Sequence, residues 1–165
     1  MGANVHVKVR HLRRTDYKTV SRIYSETIQE YLTSLKKAGT DELMRERKSI
    51  ALTLPRGAFK FYYEVGSSFI ALSREEIVGF ILAQPVRWMN LDNQVLWLEY
   101  IAVTPALRNQ GVGSALLSSI KDWGTRRSIG FMFTTLNPNN EASGALLRSA
   151  GFEVRDWRYA RYPPY

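Results

Sequence analysis

The sequence predicts an α/β fold in which a mixed β-sheet carries helices on both faces. The main observation is the order of the apolar patterns, which runs strand, helix, helix, three strands, helix, strand, helix and strand. The composition, with 45% apolar and 23% charged residues, is that of a soluble globular chain. A length of 165 residues favours one domain, so we expect residues 1–165 to form a single domain.

The first predicted elements are a strand and two helices. The stretch "VHVKV", residues 5–9, alternates apolar and polar residues as a strand does. Apolar residues then recur at helical spacing over residues 17–35, after Thr15, which can cap a helix. A second helix is predicted over residues 41–54. Residues 58–65 fit either a short helix or a strand.

Three apolar strands follow in the middle of the chain. The stretches "FIALS" and "IVGFILAQPV" lie on either side of residues 74–76 and predict a β-hairpin. The stretch "VLWLEYIAV", residues 95–103, predicts the third strand. The last part of the chain predicts a helix over residues 111–127, a strand over 130–136 and a helix over 140–150. Its end, "FEVRDWRYARY", predicts a final strand or a short hairpin.

The residue inventory excludes several kinds of chemistry. The chain has no cysteine, which rules out disulfides, a thiolate nucleophile and thiolate metal sites. The two histidines, His6 and His11, are too few for a convincing metal site, so we expect no metal. No segment approaches the roughly 20 apolar residues of a membrane span, and the N-terminus lacks the apolar core of a signal peptide. We therefore expect a cytoplasmic protein.

The net charge of +8 predicts a surface that attracts anions, including nucleic acid and phosphorylated cofactors. Solubility alone explains the same charge equally well.

The stretch "RNQGVGSALL", residues 108–117, joins a predicted strand to a predicted helix. Gly111 and Gly113 carry no Cβ atoms there, and the first N–H groups of a helix have no partners within the helix. With the helix dipole and Arg108, they predict a site for a phosphate or pyrophosphate. A glycine turn without a ligand explains the same residues equally well.

Two common nucleotide-binding motifs do not fit this loop. A P-loop requires Gly-Lys-Ser/Thr, but Gly113 is followed by Ser114 and Ala115. A dinucleotide-binding fingerprint requires a third small residue, where this chain has Leu116.

A third motif does fit. Arg108-x-x-Gly111-x-Gly113, after "IAV", resembles the acetyl-CoA-binding motif of the GNAT superfamily of acetyl-CoA-dependent N-acetyltransferases. The later stretch "NNEASGALLRSAGF" is similar to a second pattern of that family, with Asn140, Ser143 and a terminal Gly-Phe. The order of elements also matches, so the resemblance covers nearly the whole chain. It implies a mixed, mostly antiparallel central sheet with helices on both faces, and acetyl-CoA as the co-substrate.

The resemblance also implies where acetyl-CoA binds. Main-chain amides of the loop would hold the pyrophosphate, and the preceding strand would pair with the pantetheine arm. The implied residues are Ile101, Ala102, Val103, Arg108, Asn109, Gln110, Gly111, Val112, Gly113, Ser114, Asn140 and Ser143. Two alternatives stay open: Asn140 can be the N-cap of the next helix, and the side chains of Ile101 and Val103 can be core.

Amine acetylation needs a base, because an ammonium group has no lone pair. Glu99 is the only carboxylate of strand 95–103 and is the candidate general base, as family members often take it from this strand. Strand periodicity places Glu99 on one face with Ile101 and Val103, unless a bulge intervenes. An exposed acid or an arginine partner is the alternative. The resemblance also implies an oxyanion contact from a backbone N–H near Ile101.

Leu147 departs from the family, in which many members have a tyrosine that protonates the leaving thiolate. Leucine has no proton to donate, so Tyr100, Ser143 or water would have to replace it, or no acid would be needed. Some relatives place a base on the next strand, where this chain has Thr135.

The sequence therefore predicts transfer of the acetyl group from acetyl-CoA to a primary amine by direct transfer in a ternary complex. One alternative is a CoA-binding regulator without turnover, which Leu147 favours. The other is a nucleic-acid-binding module, which the charge and the aromatic C-terminal stretch favour but which leaves both motifs unexplained. The acceptor would be a small molecule or a peptide or protein amine. Lys36, Lys37 and the stretch 155–165, which is rich in basic and aromatic residues, argue against a polycation. A short C-terminal part makes a homodimer plausible.

Overall fold

The computed structural model describes residues 6–38, 51–87, 94–137 and 140–155. The strands are β1 (Lys8–His11), β2 (Phe69–Ser73), β3 (Glu76–Arg87), β4 (Gln94–Val103) and β5 (Phe131–Thr134). The helices are α1 (Tyr17–Ala38), α2 (Arg56–Val65), α3 (Val112–Arg126) and α4 (Glu141–Ser149).

The five strands form one sheet in the order β1-β2-β3-β4-β5. The first four pair antiparallel and β4 pairs parallel with β5, so α3 is the crossover between the two parallel strands. The β2–β3 hairpin turns at Arg74 and Glu75, whose φ angles of 49° and 64° are those of a tight hairpin turn. These pairings confirm the predicted mixed, mostly antiparallel sheet.

Helices cover both faces of the sheet and bury a core on each. In the α3–α4 core, Leu116 and Leu147 pack with the strand residue Leu96. In the α1–α2 core, Val20 packs with Phe80 of β3. Because successive side chains of a strand point to opposite faces, β2, β3 and β4 each contribute to both cores.

The start of α1 differs from the prediction. Thr15 does not cap the helix, because it lies inside a 3₁₀ turn over Arg14–Asp16. The buried Asp16 instead stabilises the start of that turn: its carboxylate accepts from the Arg13 amide at 2.8 Å and pairs with Arg10 at 2.8 Å. A carboxylate that satisfies an amide at a helix start is favourable for both groups.

Three other predicted segments have mixed outcomes. Residues 58–65 are helical, as part of α2. The predicted helix over 41–54 falls largely outside the described residues, and residues 51–54 are not helical. The final strand or hairpin also falls largely outside them, and residues 152–155 are not in a strand.

Candidate active site

The parallel strands β4 and β5 separate after a short paired stretch. Pairing runs from Val95 opposite Phe131 to Leu98 opposite Thr134. The Thr134 hydroxyl closes it by donating to the Leu98 carbonyl at 2.7 Å. β5 then ends, whereas β4 continues to Val103. The main chain of β4 therefore borders an opening, which we call the β4–β5 opening.

The pairing of β4 with β3 decides which main-chain groups face the opening. The Thr104 amide donates to the Val78 carbonyl at 2.9 Å, which makes Val103 opposite Gly79 a non-hydrogen-bonded pair. The amide and carbonyl of Val103 therefore point away from β3, and those of Ile101 do the same. Ala102, between them, pairs with β3 instead.

Gly79 was not singled out from the sequence, yet it sets the distance between the sheet and α3. A Cβ atom at this position would lie 2.8 Å from the Ala102 carbonyl oxygen and 3.3 Å from Val112. A Cβ atom does not approach a backbone oxygen so closely, so glycine at this position of β3 allows the end of β4 and the start of α3 to lie against it.

The loop before α3 presents main-chain amides at the end of the opening. Asn109 and Gly111 have φ angles of 59° and 85°, and α3 begins at Val112. No side chain caps the helix within the described residues, so the first amides of α3, from Val112 to Ser114, lack helical partners. This geometry suits an anion.

The two glycines of this loop are required for different structural reasons. Gly111 has the left-handed backbone conformation, which residues other than Gly, Asn and Asp rarely adopt. A Cβ atom on Gly113 would lie 2.9 Å from Cδ2 of Leu146 in α4. Gly113 therefore also serves the packing of α3 against α4, a role that the sequence interpretation missed.

The Arg108 side chain does not project freely beside these amides. Its guanidinium makes two hydrogen bonds, of 2.6 and 2.5 Å, to the Glu30 carboxylate of α1. Its Nε donates to the Val103 carbonyl at 3.1 Å. The hydrogen bond from Arg108 lowers the pKa of Glu30, and the same contact raises the pKa of Arg108. Arg108 thus ties α1 to the border of the opening, a link that no sequence pattern indicated.

At the start of α4, Asn140 caps the helix, which is one of the two roles that the sequence left open for it. Its side-chain oxygen accepts from the Ser143 amide at 3.1 Å, so Asn140 is the N-cap of this helix. Leu147 is 7% exposed and belongs to the α3–α4 core. The departure from the family at Leu147 therefore lies at a packed position.

A β-bulge in β4 changes the predicted orientation of Glu99. Leu98 pairs with Ala83 and Tyr100 with Leu82, so Glu99 is an extra residue between them. Ile101 packs against the α3–α4 core and Tyr100 against the α1–α2 core. The bulge named as the exception to the expected orientation is therefore present, and Glu99 does not share a face with Ile101 and Val103.

Glu99 instead contacts the α1–α2 side of the sheet. Its Oε2 accepts hydrogen bonds from the Tyr62 hydroxyl and from Nε2 of Gln84, the latter at 3.0 Å. Burial, and then the hydrogen bond to Glu99, raise the pKa of Tyr62, so this phenol keeps its proton. In the described part of the chain, no arginine or lysine pairs with Glu99. No pattern in the sequence indicated Tyr62 or Gln84.

Tyr100, considered as an acid for the thiolate, points towards α1. Its hydroxyl is 3.0 Å from the Thr27 hydroxyl, and its ring stacks on Phe80. Burial raises the pKa of Tyr100 to about 12, which makes it a reluctant proton donor.

Two features are absent from the described residues. These residues contain no cluster of three or more histidine or acidic residues placed to hold a metal ion. Among them, no helix has both the length and the apolar character that crossing a membrane requires.

Residues 24–152 match the acetyltransferase (GNAT) family, and the chain belongs to that family. The aminoglycoside N(6')-acetyltransferase type 1 of Salmonella typhimurium (strain LT2) is 31% identical over 91 residues, which are 53% of this chain. The match spans 62% of that relative's length, which is less than two thirds of it.

Two solved structures share the fold over nearly their whole length. An aminoglycoside acetyltransferase from an uncultured soil metagenomic sample, meta-AAC0020, has a TM-score of 0.71 at 15% identity, with 96% of each chain covered. The aminoglycoside N-acetyltransferase AAC(6')-Iy in complex with CoA has a TM-score of 0.64 at 22% identity, covering 98% of this chain and 99% of that one. At these identities the comparison establishes the fold.

Proposed function

We propose that this protein is an N-acetyltransferase that transfers the acetyl group of acetyl-CoA directly to a primary amine in a ternary complex. The observation that carries the proposal is the β4–β5 opening, with main-chain groups of Ile101 and Val103 along its border and the first amides of α3 at its end. Membership of the acetyltransferase family supports the same activity.

Acetyl-CoA fits this border by its chemistry. Its pyrophosphate is an anion that suits the amides from Gly111 to Ser114, while Asn109 and Gln110 shape the turn before them. The pantetheine arm contains amide groups, which can pair with the main chain of residues 101–103 as a strand would. The Arg108–Glu30 pair would stabilise this border and add less positive charge than a free arginine.

The proposed chemistry requires one base. An acceptor ammonium loses a proton to Glu99, and the neutral nitrogen then attacks the thioester carbonyl. A C–N bond forms and the C–S bond breaks, which releases CoA as a thiolate. After the attack the nitrogen loses its second proton to water, and water in turn protonates the thiolate to the thiol. Water is the proposed donor because Leu147 has no proton to give and the high pKa of Tyr100 disfavours it.

The acceptor is proposed to be a primary amine on a polar molecule, with aminoglycosides as the first class to test. The name of the Salmonella relative points to these acceptors. A shallow hollow of about 460 Å³ on α1 is lined by Glu26, Gln29, Glu30, Thr33 and Ser34. Its two carboxylates already pair with Arg22 and Arg108, so the hollow itself does not select a cationic ligand. Two of the basic residues that argued against a polycation, Arg158 and Arg161, lie outside the described residues.

We also propose that the protein forms a homodimer. β5 is the last strand of the described sheet, and Phe131 on it is 53% exposed. An exposed edge strand favours pairing with another chain. Light scattering at micromolar protein concentration should give twice the monomer mass, and a monomer mass would contradict the dimer.

A binding and turnover experiment tests the activity. Acetyl-CoA at a hundredfold its Kd should raise the free energy of unfolding by about 2.7 kcal/mol. Thiol release is then followed with aminoglycosides, simple amines and peptide amines. Initial rates at varied concentrations of both substrates should give intersecting double-reciprocal plots, whereas a covalent acetyl-enzyme would give parallel ones. No thermal response to millimolar acetyl-CoA would refute the proposal, and binding without thiol release would favour the CoA-binding regulator.

A further inference from the structure

The hydrogen bonds of Glu99 fall on one oxygen of its carboxylate. Tyr62 and Gln84 both donate to Oε2. Oε1 has no hydrogen-bond partner among the residues that the structure describes. The two oxygens of a free carboxylate are equivalent, so this asymmetry is created by the surrounding protein.

The two donors come from different elements and are held independently of Glu99. Tyr62 is 6% exposed and lies in α2 as part of the α1–α2 core. Gln84 lies on β3, opposite Trp97. A glutamate side chain has several rotatable bonds, and at an exposed bulge it would sample many rotamers. Two donors on one oxygen restrict this motion and fix where the other oxygen points.

We propose that Tyr62 and Gln84 are positioning residues that hold Glu99 by Oε2, so that Oε1 takes the proton from the acceptor ammonium. In that step an N–H bond breaks, an O–H bond forms at Oε1, and the electron pair stays on nitrogen for the attack on the thioester. The inference rests on the proposed acetyl transfer and assigns the base to one atom. It also predicts that Tyr62 affects the rate through Glu99 alone.

The first experiment compares Tyr62→Phe with Tyr63→Phe in the full-length protein. Each change removes one hydroxyl from neighbouring positions of α2. The Tyr63 ring packs on Phe59 at 5.7 Å, and its hydroxyl makes no hydrogen bond in the described structure. With the best acceptor, Tyr62→Phe should lower kcat about tenfold, which is part of what a general base contributes. Tyr63→Phe should leave kcat unchanged. The KM for acetyl-CoA should stay within about twofold in both variants.

The second experiment places Tyr62→Phe in a Glu99→Gln background. If Tyr62 acts through Glu99, the added change should alter kcat by less than about twofold. An equal tenfold loss in both backgrounds would overturn the inference while leaving the proposed acetyl transfer intact. If Tyr62→Phe unfolds, Gln84→Met provides the same test. Its expected loss is smaller, about threefold, because the Gln84 hydrogen bond is exposed whereas that of Tyr62 is partly buried. Inactivity of the wild-type protein on every acceptor would overturn the proposed function, and the inference with it.

Discussion

The loop that starts α3 and the bulge in β4 border the same opening, but they are built from different parts of the chain. The loop offers main-chain amides, and its shape depends on the left-handed conformation of Gly111. The bulge offers a side chain, Glu99, whose orientation depends on Tyr62 in α2 and Gln84 in β3. One site is local in sequence, whereas the other is assembled by the fold.

This difference explains why the two sites tolerate change differently. A main-chain site keeps its donors when neighbouring side chains are replaced, provided that the backbone conformation survives. A side-chain site loses its chemistry when one functional group is removed, even if the fold is unchanged. Substitutions at the bulge should therefore affect turnover, and substitutions in the loop should affect stability and CoA affinity together.

The largest expected effect comes from Glu99→Gln. The change preserves the shape of the side chain and removes its basicity, so kcat should fall by about 10²- to 10⁴-fold. The affinity for acetyl-CoA should change little, because the loop is untouched. The defect should shrink at high pH, where more of the acceptor is already neutral.

Steady-state kinetics between about pH 6 and pH 10, with CoA binding by calorimetry, check this prediction. Glu75→Gln, in the turn between β2 and β3, is a matched control for the loss of one exposed carboxylate. Turnover that stays at the wild-type level across the pH range would remove Glu99 from the mechanism and leave the bulge without a chemical role.

The next effect concerns Leu147→Tyr. This variant tests whether the tyrosine found in many family members could act here, beside Glu99, as the acid for the thiolate. Leu147 is 7% exposed in the α3–α4 core, so a phenol there should overpack the core and lower the free energy of unfolding by about 1–3 kcal/mol. Leu147→Met is the control for a change of similar volume, and chemical denaturation measures both. A folded Leu147→Tyr variant with faster thiol release would instead show that an acid was missing.

Much of the fold follows from the sequence because periodicity is a local signal. Runs of apolar residues predicted β2 to β4, and helical patterns predicted α1, α3 and α4. Residues 58–65 stayed ambiguous because aromatic residues suit both strands and helices. Packing of Phe59 and Tyr62, three residues apart, against the α1–α2 core is consistent with the helix.

The main-chain part of the candidate site was predictable, and the side-chain contacts were not. The glycine loop and the border at residues 101–103 lie in one continuous stretch of the sequence. By contrast, Tyr62 is 37 residues from Glu99, and Arg108 is 78 residues from Glu30. Pairs at such distances depend on how the elements pack. The bulge at Glu99 could be named only as an exception, because nothing in "WLEYIAV" marks its position.

A smaller effect separates the two glycines of the loop. Gly111→Ala places a Cβ atom on a left-handed residue and should cost about 1 kcal/mol of stability, with a drop of about tenfold in CoA affinity as the amides shift. Gly113→Ala meets the flexible end of Leu146, which can move, and alanine favours a helix. It should therefore stay close to wild type in both measurements.

Thermal unfolding with and without CoA checks the pair. Adding Leu146→Ala to Gly113→Ala removes the side chain that the new Cβ atom would meet. If CoA binding is lost in Gly113→Ala and stays lost in the double variant, the space at residue 113 belongs to the ligand, and the difference between the two glycines disappears.

The smallest effect concerns Arg108. This residue is part of the loop before α3, but its side chain pairs with Glu30 of α1, which is distant in the sequence. The Arg108 hydrogen bond lowers the pKa of Glu30 in the folded state below its unfolded value of about 4.3. The pair therefore stabilises the fold above that value, and the contribution is lost as the pH falls through the folded pKa. The gain should be below about 1 kcal/mol, because the Arg108 and Glu30 side chains are 38% and 50% exposed. Denaturant unfolding should show Glu30→Gln less stable than wild type at pH 6, with a difference that vanishes at the acid end. In an Arg108→Ala background that pH dependence should be absent, and its persistence there would mean that Glu30 owes it to another partner.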